Sequence, residues 1–244
     1  MLLKQALGLV IDLVYPPRCP ACGAAIASHG ALCQDCWAGL VIPGEPCCTA
    51  CQRPFGNEDM PAGSLCAPCL ADPPLHDGIA AATLYNDTAR KLVLAFKHGH
   101  RIALSRLLSR QMLARLPVLE DDWLVVPVPL HRRRLWQRGF NQSALLAREI
   151  AEARGLALLV DGLLRIRATP PLGKLGRKER ARVLKGAIGV NPPREAQLKG
   201  AQVLLVDDVM TSGATTGACL AVLRKAGAAR VRIACFSRVL DEAL

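Results

Sequence analysis

The chain has 244 residues, enough for one good-sized core with a small satellite or for two modest domains, and at 51% apolar it is globular rather than disordered. Aromatic residues make up only 4%, so the core has to be built from Leu, Val, Ile and Ala. The 31 Lys and Arg against 20 Asp and Glu leave a formal charge of +11. Such an excess points to anionic partners (phosphates, nucleic acid or an acidic lipid surface), although a solvated basic surface satisfies it equally well.

Met1–Val14 is expected to form a short helix, with Leu3, Leu7, Val10, Ile11 and Val14 on one apolar face and Pro16-Pro17 ending it. Asp12 and the two prolines argue against a signal peptide, and the stretch is shorter than the roughly 20 residues that span a bilayer. No stable membrane insertion is expected.

Nine of the 11 cysteines fall within Cys19–Cys69, and eight of those make four C-x-x-C pairs: Cys19/Cys22, Cys33/Cys36, Cys48/Cys51 and Cys66/Cys69. A two-residue gap suits two thiolates on one metal, and two such knuckles close a tetrahedral site with no open position. The segment is expected to hold two structural zinc ions as a double ribbon over residues 18–71, metal standing in for a core that it is too small to build. An iron–sulfur cluster would use the same ligands. Sequential and interleaved pairing both fit the spacing, and Cys47 competes with Cys48 as a ligand. Thiolates used in this way point to a reducing cytoplasm.

Ala71–Asp77, with Pro73 and Pro74, forms the linker to a domain over residues 77–244. There, Val125–Pro129, Val203–Val206 and Val231–Phe236 read as strands, while Ser143–Arg154 and Thr216–Ala226 have helical periodicity. That alternation predicts an α/β domain with a largely parallel sheet flanked by helices. Cys219 and Cys235 read as buried apolar residues.

Two basic stretches stand out. Arg132, Arg133, Arg134 and Arg138 precede Gly139 in a segment read as a loop between a strand and a helix. Guanidinium groups there suit a diphosphate, a nucleic acid or simply solvent. Arg165–Lys185 carries eight Lys and Arg among Gly173 and Gly176, with Gly186 just after, and reads either as a mobile cover over a site or as a charged surface loop.

The most informative segment runs Val203-Leu204-Leu205-Val206-Asp207-Asp208-Val209-Met210-Thr211-Ser212-Gly213-Ala214-Thr215-Thr216. A buried strand delivers two carboxylates to its C-terminal end, followed by a Gly-containing loop into a helix. Backbone N–H groups at that helix start, with the hydroxyls of Thr211, Ser212 and Thr215, suit a phosphate. Asp207 and Asp208 can accept from ribose hydroxyls and help to place Mg²⁺. No Walker-type loop occurs in the sequence.

This segment resembles the 5-phosphoribosyl 1-diphosphate (PRPP) signature of type I phosphoribosyltransferases. Together with the four C-x-x-C pairs, Leu92–Gly99, Val126–Gln142, Thr169-Pro170-Pro171 and Arg177–Arg182, it makes the whole chain similar to the ComF family, GntX-like proteins of competence and DNA utilisation. The resemblance implies a type I phosphoribosyltransferase-like fold behind a double zinc ribbon. It also implies PRPP bound with Mg²⁺ at Asp207, Asp208, Met210, Thr211, Ser212, Gly213, Ala214 and Thr215, with Asp207 and Asp208 in the catalytic role. The diphosphate is matched to Arg138 and Gly139. Leu172 and Val183 stand where family members often carry Gln and Asn. Two functions follow: phosphoribosyl transfer to a base, or a non-catalytic module that binds single-stranded DNA or DNA-uptake proteins and senses PRPP or another nucleotide. The acceptor is not legible, and a homo-oligomer is left open.

Overall fold

The structure, a computed structural model, describes residues 14–56, 59–98, 101–119, 122–169 and 176–240. Of the helix expected over Met1–Val14 only Val14 lies within them, and Pro170, Pro171, Leu172, Gly173 and Lys174 lie outside.

The ribbon region carries two short helices, α1 (Gln34–Ala38) and α2 (Ala67–Ala71). A five-stranded, wholly parallel sheet follows, formed by β1 (Ile79–Leu84), β2 (Trp123–Pro127), β3 (Ala157–Leu158), β6 (Gln202–Met210) and β7 (Arg230–Arg238) in the order β1-β7-β6-β2-β3. β4 (Leu163–Arg165) and β5 (Ile188–Val190) form a separate antiparallel pair. The helices of this part are α3 (Asp87–His98), α4 (Leu104–Arg115), α5 (Arg132–Arg138), α6 (Gln142–Arg154), α7 (Arg177–Leu184), α8 (Glu195–Leu198) and α9 (Ala214–Lys225). None of the described helices is long and apolar enough to cross a membrane.

Side chains alternate across a strand, so a buried parallel strand feeds two cores. Leu204 and Val206 point into one, with Phe236, Leu92, Leu108 and Ile150 from β7, α3, α4 and α6. Val203 and Leu205 point into the other, with Ile233, Leu220 and Leu223 from β7 and α9. Each such side chain, fully buried, stabilises by about 1.5–3 kcal/mol. Cys219 and Cys235 are buried in the second core, as their apolar reading requires.

The expected strands and helices are present, with β6 extending past Val206 to Met210. The segment read as a basic loop differs. Arg132–Arg138 is a helix, capped by His131, whose Nδ1 accepts from Arg133 N–H, and closed by Gly139 at φ 77°. Gly139 thus ends a helix in the left-handed conformation, a position that glycine tolerates best. The Gly-punctuated second stretch likewise contains structure: β4 ends in Arg165, and α7 occupies Arg177–Leu184.

The cysteines form two quartets in sequential pairing, Cys19/Cys22/Cys33/Cys36 and Cys48/Cys51/Cys66/Cys69, with ligand atoms within 4.8 Å of one another in each. Sulfur separations of 3.5 Å (Cys22–Cys33) and 3.6 Å (Cys51–Cys66) fit a tetrahedral ion with bonds of about 2.3 Å, whose sulfur–sulfur edges are about 3.8 Å. Cys47 stands apart, its thiol donating to Glu45 Oε1 at 3.4 Å.

The ribbon straddles the edge of the sheet. Val41 C=O accepts from Leu84 N–H (2.7 Å) and Thr83 Oγ1 (2.8 Å), and Gln52 Oε1 accepts from Ala81 N–H (2.8 Å). These bonds occupy the open side of β1, an edge that would otherwise invite pairing with another chain. Ala21, Leu32 and Leu40 pack into the first core, and the second quartet into the other.

Elemental analysis of the full chain should give two zinc per molecule. Cys48→Ser should lose one of them, whereas Cys47→Ser should keep both. Iron with visible absorbance, or a zinc loss on Cys47→Ser, contradicts this ligand assignment.

Candidate active site

Chain order places the crevice. From β2 the chain passes through α6 to β3 on one side, and from β6 through α9 to β7 on the other. The path therefore reverses direction between β2 and β6, and ligands of open α/β sheets bind at the carboxyl ends of such strands. β2 leaves the ladder at Pro127, opposite Val206, after one further bond from Val128 N–H to Val206 C=O. Proline has no N–H, so Pro127 and Pro129 favour that departure. β6 continues beside β7 alone, pairing Asp207 with Cys235 and Met210 with Arg238. Asp207 and Asp208 therefore face the gap that β2 vacates.

Beyond Met210 the chain turns through Thr211-Ser212-Gly213 into α9. Gly213 sits at φ 74° as the helix cap and, being glycine, offers no side chain to the first-turn N–H groups. A Cβ there would stand 3.2 Å from Met210 Cε. The turn is open rather than occluded: a cup of about 170 Å³ is lined by Val209 to Thr216, with Asp207 and Arg180. Arg180, from α7, donates to Thr211 Oγ1 at 3.5 Å. Donors at the start of a helix, beside a guanidinium, are suited to an anion.

The cup opens into a cleft of about 430 Å³ that includes both aspartates, Lys97 from α3, Arg134 and Arg138 from α5, Arg165 and Arg180. Five cations against two carboxylates suit it chemically to a polyanion. Arg138 donates to Gln142 Oε1 at 3.2 Å, and Arg134 to the Thr169 carbonyl at 3.4 Å. Burial lowers the pKa of Arg138, opposed by the Asp208 carboxylate. Arg165 is lowered by burial and then by Arg134.

The acid pair is buried and asymmetric. Asp207 Oδ1 accepts from Ser143 Oγ (3.0 Å) and from the Asp208 N–H (2.9 Å). Burial, and next the charge of Asp208, push its pKa up to about 7, with Lys97 pulling the other way. Asp208 Oδ2 lies 3.0 Å from Lys97 Nζ.

Every residue singled out in the loop lines the cup: Met210, Thr211, Ser212, Gly213, Ala214 and Thr215. Arg138 reaches the cleft, while Gly139 shapes the end of its helix instead. Arg132 and Arg133 line a separate groove of about 1040 Å³ on the far side of α5. Sequence reasoning did not single out Lys97 and Ser143. The signals were there: Lys97 stands four residues after Val93, on the same helical face, and Asn141 caps α6 by accepting from Ser143 N–H at 3.1 Å.

Residues 10–74 match the double zinc ribbon domain, and residues 172–243 the phosphoribosyl transferase domain. The DNA utilization protein YhgH of Salmonella typhi is 34% identical over 235 residues, which cover 93% of this chain and all of that protein. Competence protein F of Haemophilus influenzae is 27% identical over 216 residues, 82% of this chain and 94% of that one. Among solved structures, the allosteric regulatory enzyme of purine biosynthesis superposes with a TM-score of 0.37 at 24% identity, covering 56% of this chain and 25% of that one. With its two cysteine quartets in front of a parallel sheet, this chain belongs to the ComF family, that of YhgH and competence protein F, which joins a double zinc ribbon to a phosphoribosyl transferase domain.

Proposed function

We propose that the cleft binds PRPP together with Mg²⁺ and passes its phosphoribosyl group to an acceptor, in the service of DNA utilisation. One observation carries this reading: the phosphate cup, the acid pair and five cations share one crevice at the ends of β2 and β6. The 5-phosphate takes the Thr211–Thr215 turn. Arg134, Arg138 and Arg165 hold the diphosphate, and Asp207 and Asp208 accept from the ribose hydroxyls. Buried carboxylate oxygens suit a hard cation, and Asp208 Oδ2 accepts no hydrogen bond, so the residues present fit Mg²⁺. When bound, that ion neutralises charge on the leaving diphosphate. In transfer, the C1–O bond breaks with its electron pair leaving on the diphosphate, and an acceptor lone pair forms the new bond to C1. The guanidinium groups stabilise the departing charge while the acid pair faces the positive ribose. All 11 cysteines are unbridged, and thiolate quartets persist where thiols stay reduced, which fits a cytoplasmic protein.

A second reading is favoured by a different surface. Trp136 is 89% exposed on α5. It stands beside Arg132, Arg133 and His131 over a groove walled by Leu130, Val160, Leu164 and Ile166. An exposed indole among arginines suits stacked bases and a phosphate backbone, and relatives are named for DNA utilisation and competence. A single strand lying here would use the groove and leave the cleft to PRPP.

Asp207→Asn combined with Asp208→Asn should abolish calorimetric PRPP binding in the presence of Mg²⁺; unchanged titration curves would count against the cleft. Asp207→Asn alone should stabilise the fold. Because the folded-state pKa is raised, the native chain holds a proton that the unfolded chain has lost between about pH 4 and 7, so stability falls as pH rises through that window. An amide Oδ1 still accepts both bonds without the charge. Denaturant titration should show a gain of about 1 kcal/mol or more above pH 7, vanishing below about pH 4; a gain independent of pH contradicts the assignment. For the groove, Trp136→Ala should weaken binding of a short single strand by ~1–3 kcal/mol and leave PRPP binding intact. A strand that binds equally well to the variant rules the groove out.

A further inference from the structure

We infer that Lys97 is the resident counter-cation of the acid pair, exchanged for the incoming sugar diphosphate with its divalent ion, so that the ion enters only together with that ligand. The inference rests on the PRPP reading and adds an order of binding to it.

Lys97 reaches the cleft from the last turn of α3, behind Val93 and Leu94, which line the same wall. Its Nζ lies 3.0 Å from Asp208 Oδ2, yet that oxygen is buried and accepts no directed hydrogen bond. The ammonium is therefore held by charge and not by a fitted bond. A lysine is a compact charge on a flexible four-carbon stem, so it can leave without disturbing the backbone. The guanidinium groups of the cleft are tied elsewhere: Arg138 to Gln142 Oε1, Arg134 to the Thr169 carbonyl, Arg165 to Thr169 Oγ1 and Arg180 to Thr211 Oγ1, while Ser143 Oγ and the Asp208 N–H hold Asp207. Among the described residues around the pair, Lys97 combines an ion pair to Asp208 with a flexible stem that leaves it free to exchange.

A divalent ion needs the oxygen that Lys97 occupies, and two cations on one buried carboxylate repel. The bare ion is thus kept out. A sugar diphosphate brings its own negative charge, which draws the ammonium off Asp208 and gives it a new partner. Lys97 acts here as a positioning residue for the pair.

The test measures Mn²⁺ binding by electron paramagnetic resonance on the full, zinc-loaded chain without PRPP. Lys97→Met should bind Mn²⁺ on the order of tenfold more tightly than the wild type. Lys97→Arg, which keeps the charge, should bind it as weakly as the wild type does. Equal affinity in the wild type and Lys97→Met overturns the inference. Should Lys97→Met fail to fold, amine labelling of the wild type read by mass spectrometry decides. Lys97 should label differently when PRPP and Mg²⁺ are both present, and identical labelling at saturating PRPP overturns the exchange. Loss of PRPP binding in calorimetry, with the Mn²⁺ difference intact, would count against the PRPP reading alone.

Discussion

Two carboxylates on consecutive residues at the end of a buried strand are unfavourable wherever water is excluded, and much of the polar architecture around the cleft answers that fact. Asp207 takes a hydroxyl from α6 and a backbone N–H, and Asp208 takes an ammonium from α3. Guanidinium groups arrive from α5, β4 and α7. These partners lie in five separate segments of the chain, so the site exists only once the domain has closed around β6. Within the folded molecule the cations are already assembled around the pair, which is the preorganisation that the proposed ligand would need.

The same sheet explains why the cysteine region sits where it does. A parallel sheet is stable with both faces covered and its edges protected. β1 is an edge strand, and the ribbon reaches both cores beside it, Ala21, Leu32 and Leu40 packing into one and the second quartet into the other. Short segments tied together by thiolates can do this because their shape does not depend on a core of their own. The second quartet joins the cluster that contains Leu220 and Leu223 of α9, the helix whose first turn lines the cup proposed for the phosphate. That quartet thus shares a core with the helix that presents donors to the cup.

Sequence made some of this legible and hid the rest for physical reasons. The Val203–Thr216 segment could be read because strand, acids and turn are contiguous. The four C-x-x-C pairs could be read because metal chemistry dictates their spacing. Sequential pairing could not, since a chain of this length can close either way. The helix Arg132–Arg138 escaped because it offers no apolar stripe, its stability coming from the His131 cap and the Gly139 stop. Gly139 beside arginines read as part of a loop, whereas it marks a helix end. Ser143 meets Asp207 across 64 residues of chain, and the approach of Lys97 depends on how α3 docks on the sheet. No local pattern encodes distances of that kind.

The divided face of α5 bears on how the two proposed activities would relate. Arg134 and Arg138, four residues apart, lie toward the cleft, while Arg132, Arg133 and Trp136 lie toward the groove. Pro129, Leu130, Asn141 and Arg165 line both. A polyanion in either place is thus met by the same seven-residue helix, anchored at one end by His131 and turned back at the other by Gly139. Rotating so short a helix to improve contacts on one side must withdraw side chains from the other. If both sites bind, their occupants are therefore linked in affinity through α5, with no need for a longer path through the domain.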